Sequence, residues 1–560
     1  MSQRIGEGWT GLSFALRRAL RLFRLPVAER LLIAPQELET GDPSVAISFY
    51  SGHLMFAGRT VQTRGQSPFR LDYPCVPWAQ ELHGFSWLRH FRDSENPVVR
   101  HHARALVDEW LSLREFRKAP LAQAPAVAAR RMISWLVNSP LLLTDADHGF
   151  YRRFMKRLAK TAQWLEFCAG RPAMGMARLS AAIAFANYTL CATTGETDWK
   201  RAGRLLAAAL SDCVLADGCP RSRNPADALA LAADLLPLRT AFTARGRMPP
   251  PELQVAIDRL MGFLRLMRHT EGSLALFNGM GSTSFNLIGA VLAFDDAKGD
   301  TASAARYGGY QRLDQAGATL IVDTGPAPPP EAATEAHAGA LSFELSAGVE
   351  RIIVNCGTPP AGLVDLREAL RETAAHSTLS FDGLSSARFR PFHDGAGALL
   401  RRLSDAGEPP AVSREMTADG ERLSLIHDGY ARSAGYIHHR TLELTPDGER
   451  LTGIDRLEET GKGGATTPAL LRFHLHPRVS ASLLPGAEAA RLDLADGSFW
   501  MFEAGGLPVG IEDSIFLGGL SSQRRTLQLV VGLADPGSPA VWSFTRRTPA
   551  PALHPPQAAL

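Results

Sequence analysis

The residues best suited to proton transfer and anion binding fall into four short stretches. Residues 217–225 read Asp-Gly-Cys-Pro-Arg-Ser-Arg-Asn-Pro, a polar loop that runs into an apolar helical pattern. Asn224 suits the N-cap of that helix and Pro225 its first position. Arg221 and Arg223 would clamp an anionic group if the loop faces a cleft, and a capping loop whose arginines pair with acids accounts for the same residues. Residues 268–271 put His269 between an arginine and Glu271. His269 would serve as a base at a cleft edge, or would be a solvated loop residue. Glu335 and His337 stand before a strand pattern and Asn355 near the end of the next, and a hairpin brings those ends together. Residues 78–92 mix Trp87 with Glu81, His83, His90 and Arg92, which suits a sugar-stacking wall or a packing segment between helices equally well.

Several of these stretches form an ordered series. His337-Ala-Gly-Ala-Leu-Ser-Phe-Glu-Leu345 is followed by Val354-Asn-Cys-Gly-Thr358, Thr373-Ala-Ala-His-Ser-Thr378 and Arg472-Phe-His-Leu-His-Pro477, with Leu274-Ala-Leu-Phe-Asn-Gly279 upstream. The series resembles the heparinase II/III-like family of polysaccharide lyases and their relatives, across roughly residues 80 to 545. The resemblance implies an incomplete α/α toroid followed by an antiparallel β-sandwich, with an acidic polysaccharide in the cleft between them. It also implies β-elimination on a uronate-containing, glycosaminoglycan-like chain, which requires a carboxylate clamp, a base and an acid. Arg223, His269, Glu335 and His337 are the expected catalytic residues, and Arg221, Asn224, Trp87 and Arg178 the expected substrate contacts. Two departures favour a second reading, a non-catalytic glycan-binding or envelope-assembly protein. Active members carry His-x-His where this chain has Glu335-Ala-His337. They also carry an Asn-His-type motif where residues 175–180 offer only Arg178 and Ser180. A structural zinc, which several members hold in the sandwich, would fall on His337, Asn355 and His376. An amide is a poor substitute for a carboxylate there, and two histidines hydrogen-bonded without metal explain the same positions.

The elements that must position these groups change character along the chain. Apolar residues recur at three- and four-residue spacing over 98–116, 124–137, 149–168, 174–193, 197–215, 225–245 and 250–268, which predicts a run of helices. From residue 307 the pattern becomes short alternating strands with Gly and Pro turns, as in a sandwich. The reading therefore divides the chain into an N-terminal arm with short strands (1–80), a helical toroid (81–303), a sandwich (304–547) and a disordered tail (548–560).

Length and composition set the outer bounds. A chain of 560 residues exceeds what one core supports. A net charge of +3 gives no push toward nucleic acid, and its six cysteines have no metal-finger spacing. Residues 11–32 form an arginine-rich amphipathic pattern broken at Pro26. It would touch an anionic membrane surface or pack its leucines on the main body. No apolar core with a small-residue cleavage site opens the chain, so the sequence reads as cytoplasmic, whereas the family resemblance implies the cell envelope or periplasm. Walker A, Gly-x-Gly-x-x-Gly, His-Glu-x-x-His and Gly-x-Ser-x-Gly signatures are missing.

Overall fold

The computed structural model describes residues 26–113, 120–294, 301–393, 399–461, 468–519, 523–533 and 537–547. Most of the basic amphipathic pattern at 11–32 and the C-terminal tail lie outside the described residues. Helices fill the first half and antiparallel strands the second, giving an incomplete α/α toroid followed by a β-sandwich.

The expected helices form at Pro97–Ser112, Pro125–Val137, His148–Ala169, Met176–Cys191, Glu196–Cys213, Pro225–Ala244 and Pro251–Leu266. Starts are fixed by local chemistry: Asn96, Asp147 and Asn224 accept hydrogen bonds from the first-turn amides, and proline opens several of the others. Met176–Cys191 is the hub. From Ala181 to Cys191 every residue is buried, because the helices Pro125–Val137, His148–Ala169, Glu196–Cys213 and Pro225–Ala244 all pack on it. The more peripheral Glu196–Cys213 buries a single stripe of Ala202, Leu206, Ala209, Leu210 and Cys213.

The sandwich has two sheets. One runs Ala411–Met416, Glu421–His427, Tyr436–Leu444, Arg450–Glu459, Ala540–Arg547, Phe499–Glu503, Ala489–Asp493, Ser480–Leu483. The other runs Val509–Phe516, Arg524–Leu533, Ala469–Leu475, Glu350–Val354, Phe343–Ala347, Ala318–Asp323, Tyr310–Gln315, Ala304–Ala305, with Leu379–Phe381 paired to Ala469–Leu475. In Tyr436–Leu444 the period-two pattern survives intact, buried inward and half-exposed outward. In Phe343–Ala347 and Glu350–Val354 every residue is buried. These two strands form the expected hairpin, with a register shift between Leu345 and Ser346. Their second face is covered by the toroid, whose core cluster takes in Tyr310, Ile321, Val354 and Phe516 from this sheet.

Residues 78–92 serve packing. The ring of Trp87 is 2% exposed, stacks on Phe49 at 4.6 Å and donates to the Leu82 carbonyl at 3.0 Å. The expected sugar contact at Trp87 is therefore corrected: it packs the helix Pro43–Tyr50 onto the toroid.

Candidate functional site at the seam between toroid and sandwich

Most of the residues with chemical potential converge on the seam, but largely to close it. In the loop before helix Pro225–Ala244, Arg223 takes a left-handed backbone, φ 62°, which turns its side chain out of the toroid and into the sandwich. Its guanidinium donates to the carbonyls of Gly308 (2.6 Å), Pro326 (2.9 Å) and Gly309 (3.3 Å) and pairs with Asp323. The ring of Tyr310 lies 4.9 Å away. Gly325 makes room, since a Cβ there would sit 2.2 Å from the Arg223 Nη2. Asp323 also accepts from Asn278 at 2.9 Å, and the Tyr310 hydroxyl donates to the Arg223 carbonyl at 2.7 Å. All three guanidinium nitrogens donate to acceptors of the protein, so the carboxylate-clamp role read for Arg223 gives way to a rivet between domains.

His269 is likewise a seam residue. Its ring lies between Ser346 (2.8 Å) and Glu344 (2.9 Å) and is 1% exposed. Glu344 further accepts from Arg351 at 2.6 Å and from the backbone amides of Leu276 (3.1 Å) and Asn355 (3.0 Å). Burial alone would raise the Glu344 pKa, but Arg351 and His269 outweigh it and hold the carboxyl down at about 2. The imidazole of His269 is thus enclosed, and no substrate proton can reach it in this arrangement; its reading as a base is corrected on that ground.

His337 is buried with both ring nitrogens engaged, Nδ1 with His376 Nε2 at 3.0 Å and Nε2 with the Thr358 hydroxyl at 3.1 Å. Burial, with His376 beside it, keeps the ring neutral. His376 engages the Glu372 carbonyl at 2.9 Å through its other nitrogen. Asn355 turns away from both: its Oδ1 accepts from the Ser377 amide at 2.9 Å, and its Nδ2 points to Glu344. His337, Asn355 and His376 therefore do not present three free donors to one point, and the set does not fit the expected zinc. Among the described residues no group of three His, Cys, Asp or Glu side chains is placed to hold a metal ion.

The side chains beside the seam that keep some exposure, Glu335, Asp227, Arg367 and Arg221, are two acids and two bases. Glu335 pairs with Arg367, whose Nε lies 2.9 Å from its carboxylate and whose Nη1 donates to the Pro359 carbonyl at 2.8 Å. Glu335 packs over Gly279, where a Cβ would meet both its backbone oxygen (3.1 Å) and Asn224 Nδ2 (2.8 Å). Asn224 caps the helix through Ala226 N at 2.9 Å. Asp227, one turn into the same helix, accepts from the Ser222 hydroxyl at 2.5 Å. Burial, and secondarily the charge of Glu335, raise its pKa above the usual carboxylate value. Arg221 is exposed and reaches the Asp212 carbonyl at 3.3 Å. Arg178 is buried, pairs with Asp212 and donates to the Ala169 carbonyl at 3.0 Å, so its expected substrate contact is corrected to a toroid tie. Of the sequence-derived candidates, Glu335 and Asn224 therefore meet at the seam over Gly279, while Arg221 lies on the toroid side against Asp212. Asp227, Ser222 and Arg367 join them unannounced, since an acid in the first turn of a helix reads simply as a favourable dipole contact.

This architecture, an α/α toroid closed against an antiparallel β-sandwich, is the polysaccharide-lyase fold. A family model for the heparinase II/III-like C-terminal domain matches residues 297–545. Along most of its length the chain is 30% identical, over 471 residues, to the FtsZ-localized protein C of Caulobacter vibrioides (strain NA1000 / CB15N), covering 82% of this chain and 80% of that one. The chain belongs to the heparinase II/III-like family. Among solved structures, a heparinase III superposes with a TM-score of 0.68 at 12% identity, over 97% of this chain and 90% of that one. A heparan sulfate lyase from Pedobacter heparinus gives 0.53 at 14% identity, over 93% and 85%.

Proposed function

We propose that the chain is a glycan-binding, envelope-associated member of its family that holds a polysaccharide at the seam without cleaving it by β-elimination. One observation carries this reading. The imidazole of His269 and the guanidinium of Arg223 are bound into buried contacts that lock toroid to sandwich, and the imidazole of His337 is engaged inside the sandwich by His376 and Thr358, so the side chains that keep some exposure nearby are Glu335, Asp227, Arg221 and Arg367. An elimination needs a base facing the C5 proton and a cationic or amide clamp on the uronate. Glu335, already paired with Arg367, is a weak substitute for the base. The name of the Caulobacter relative, which locates that protein with FtsZ, supports a role in division or envelope assembly.

A lyase remains the second reading, favoured by the heparinase III fold running through nearly the whole chain and by a carboxyl group, Asp227, whose pKa is raised by burial and by the charge of Glu335. The test is to offer the purified chain a panel of uronate polysaccharides, following binding by calorimetry and unsaturated uronate by ultraviolet absorbance. Binding without absorbance, weakened by Arg221→Ala, is the expected result. Absorbance that disappears in Glu335→Gln overturns it in favour of the lyase.

A further inference from the structure

A second site of unusual chemistry lies inside the toroid, away from the seam. Arg131, on helix Pro125–Val137, is 1% exposed. Its Nη1 donates to the carbonyls of His83 (3.1 Å) and Ala122 (3.0 Å). Its guanidinium lies 4.6 Å from the ring centre of Trp110 and 5.9 Å from that of Trp135. No described carboxylate pairs with it. Its charged neighbour is another cation, Arg157, which lies 5.0 Å from the same Trp110 ring. Burial first, then Arg157, depress the Arg131 pKa well below its ordinary value. Aromatic faces attract the cation but accept few of its hydrogen bonds.

Several donors on these elements are unmet. Arg131 Nε and Nη2, Gln123 Nε2 and Trp135 Nε1 are all buried without a hydrogen-bond partner among the described residues. Gln123 adjoins the Ala122 carbonyl that holds Arg131, and Trp135 is one helical turn beyond Arg131 on the same face. Nε and Nη2 form the side-on edge of a guanidinium, the pair of parallel N–H groups that matches two oxygens of one anion. Buried donors and a buried cation left this way are costly, and an oxyanion is the one ligand type that relieves both at once. We propose that Arg131, Gln123 and Trp135 form an oxyanion-binding site in the toroid, selective for a phosphate- or sulfate-type group over halide.

The test uses the full chain. Thermal unfolding is followed with inorganic phosphate, sulfate or chloride at matched ionic strength, and anions released on denaturing desalted protein are measured by ion chromatography. The expected result is a rise of a few degrees in Tm with phosphate or sulfate and not with chloride. Arg131→Met should abolish the rise, while the milder Trp135→Phe and Gln123→Ala reduce it. If wild type is insensitive and releases no oxyanion, or if Arg131→Met keeps the full response, the proposal is overturned.

Discussion

Arg223→Met should destabilise the protein strongly while leaving glycan binding by the assembled chain nearly unchanged. The substitution keeps most of the side-chain volume and removes the charge. It leaves the Asp323 carboxylate, 4% exposed, with hydrogen bonds among the described residues from Asn278 (2.9 Å) and the Gly325 amide (3.1 Å), and it strips the donor from the Gly308 and Pro326 carbonyls, while that of Gly309 keeps the Thr324 amide at 2.8 Å. Removing one partner of a buried pair costs about 3–5 kcal/mol, and the abandoned carbonyls keep the loss toward the upper end of that range. Asp323→Leu alone should cost somewhat less, because the guanidinium retains the carbonyls of Gly308, Gly309 and Pro326. The double variant should be less unstable than the sum of the two by roughly 2 kcal/mol or more, since each single change strands a charge that the pair removes together. Denaturant unfolding followed by far-ultraviolet dichroism and tryptophan fluorescence measures all four corners of the cycle. A coupling below about 0.5 kcal/mol would refute the rivet. So would an Arg223→Met protein that is fully stable yet has lost glycan binding, which is the signature of a cleft clamp.

Four further outcomes follow from the same geometry. Gly453→Ala should cost about 1–3 kcal/mol by overpacking, because its Cβ would lie 2.0 Å from the Trp542 ring; a thermal scan decides. Asp455→Asn should cost about 3–5 kcal/mol, since Asp455 receives Arg440 (2.7 Å), His438 (2.6 Å) and Trp542 (2.8 Å) inside the sandwich. Stability should fall as the pH drops from 6.5, because the unfolded chain protonates imidazoles that the native state, with His83 held to about 4 and His474 to about 3 mainly by burial, does not. A further loss should come between pH 4.5 and 2 as Glu344, depressed to about 2, takes up its proton; unfolding midpoints that stay flat from pH 6.5 to 4 contradict the first of these. Zinc or a chelator should leave the melting temperature unchanged, and a zinc-dependent rise lost in His376→Ala would contradict the reading of that pair as hydrogen-bonded.

The helices and the hairpin were legible because each leaves its period in the sequence. The occupancy of the seam was not, and His269, Glu344 and Arg223 show why. Alternation in Phe343-Glu-Leu-Ser-Ala347 reads as one wet and one dry face, yet Glu344 and Ser346 point into the toroid loop that carries His269. Polar residues on a strand signal a polar environment, and neither water nor a second domain is distinguishable from spacing. Arg223 presents the same ambiguity at longer range. In its loop it looks free to hold a ligand, and its actual partner Asp323 lies 100 positions later, in a strand whose aspartate looks like an ordinary terminus. Sites built from contacts local in sequence, such as the Asn224 cap, could be read. A polar group's partner across a domain seam could not, and it is that partner which decides whether a histidine or arginine is a reagent or a fastening. By that criterion Glu335 is the informative residue of the seam: its side chain stays half-open while its neighbour His337 is sealed. Glu335→Gln therefore perturbs ligand contacts with little effect on folding, because the pair it breaks with Arg367 is solvent-screened.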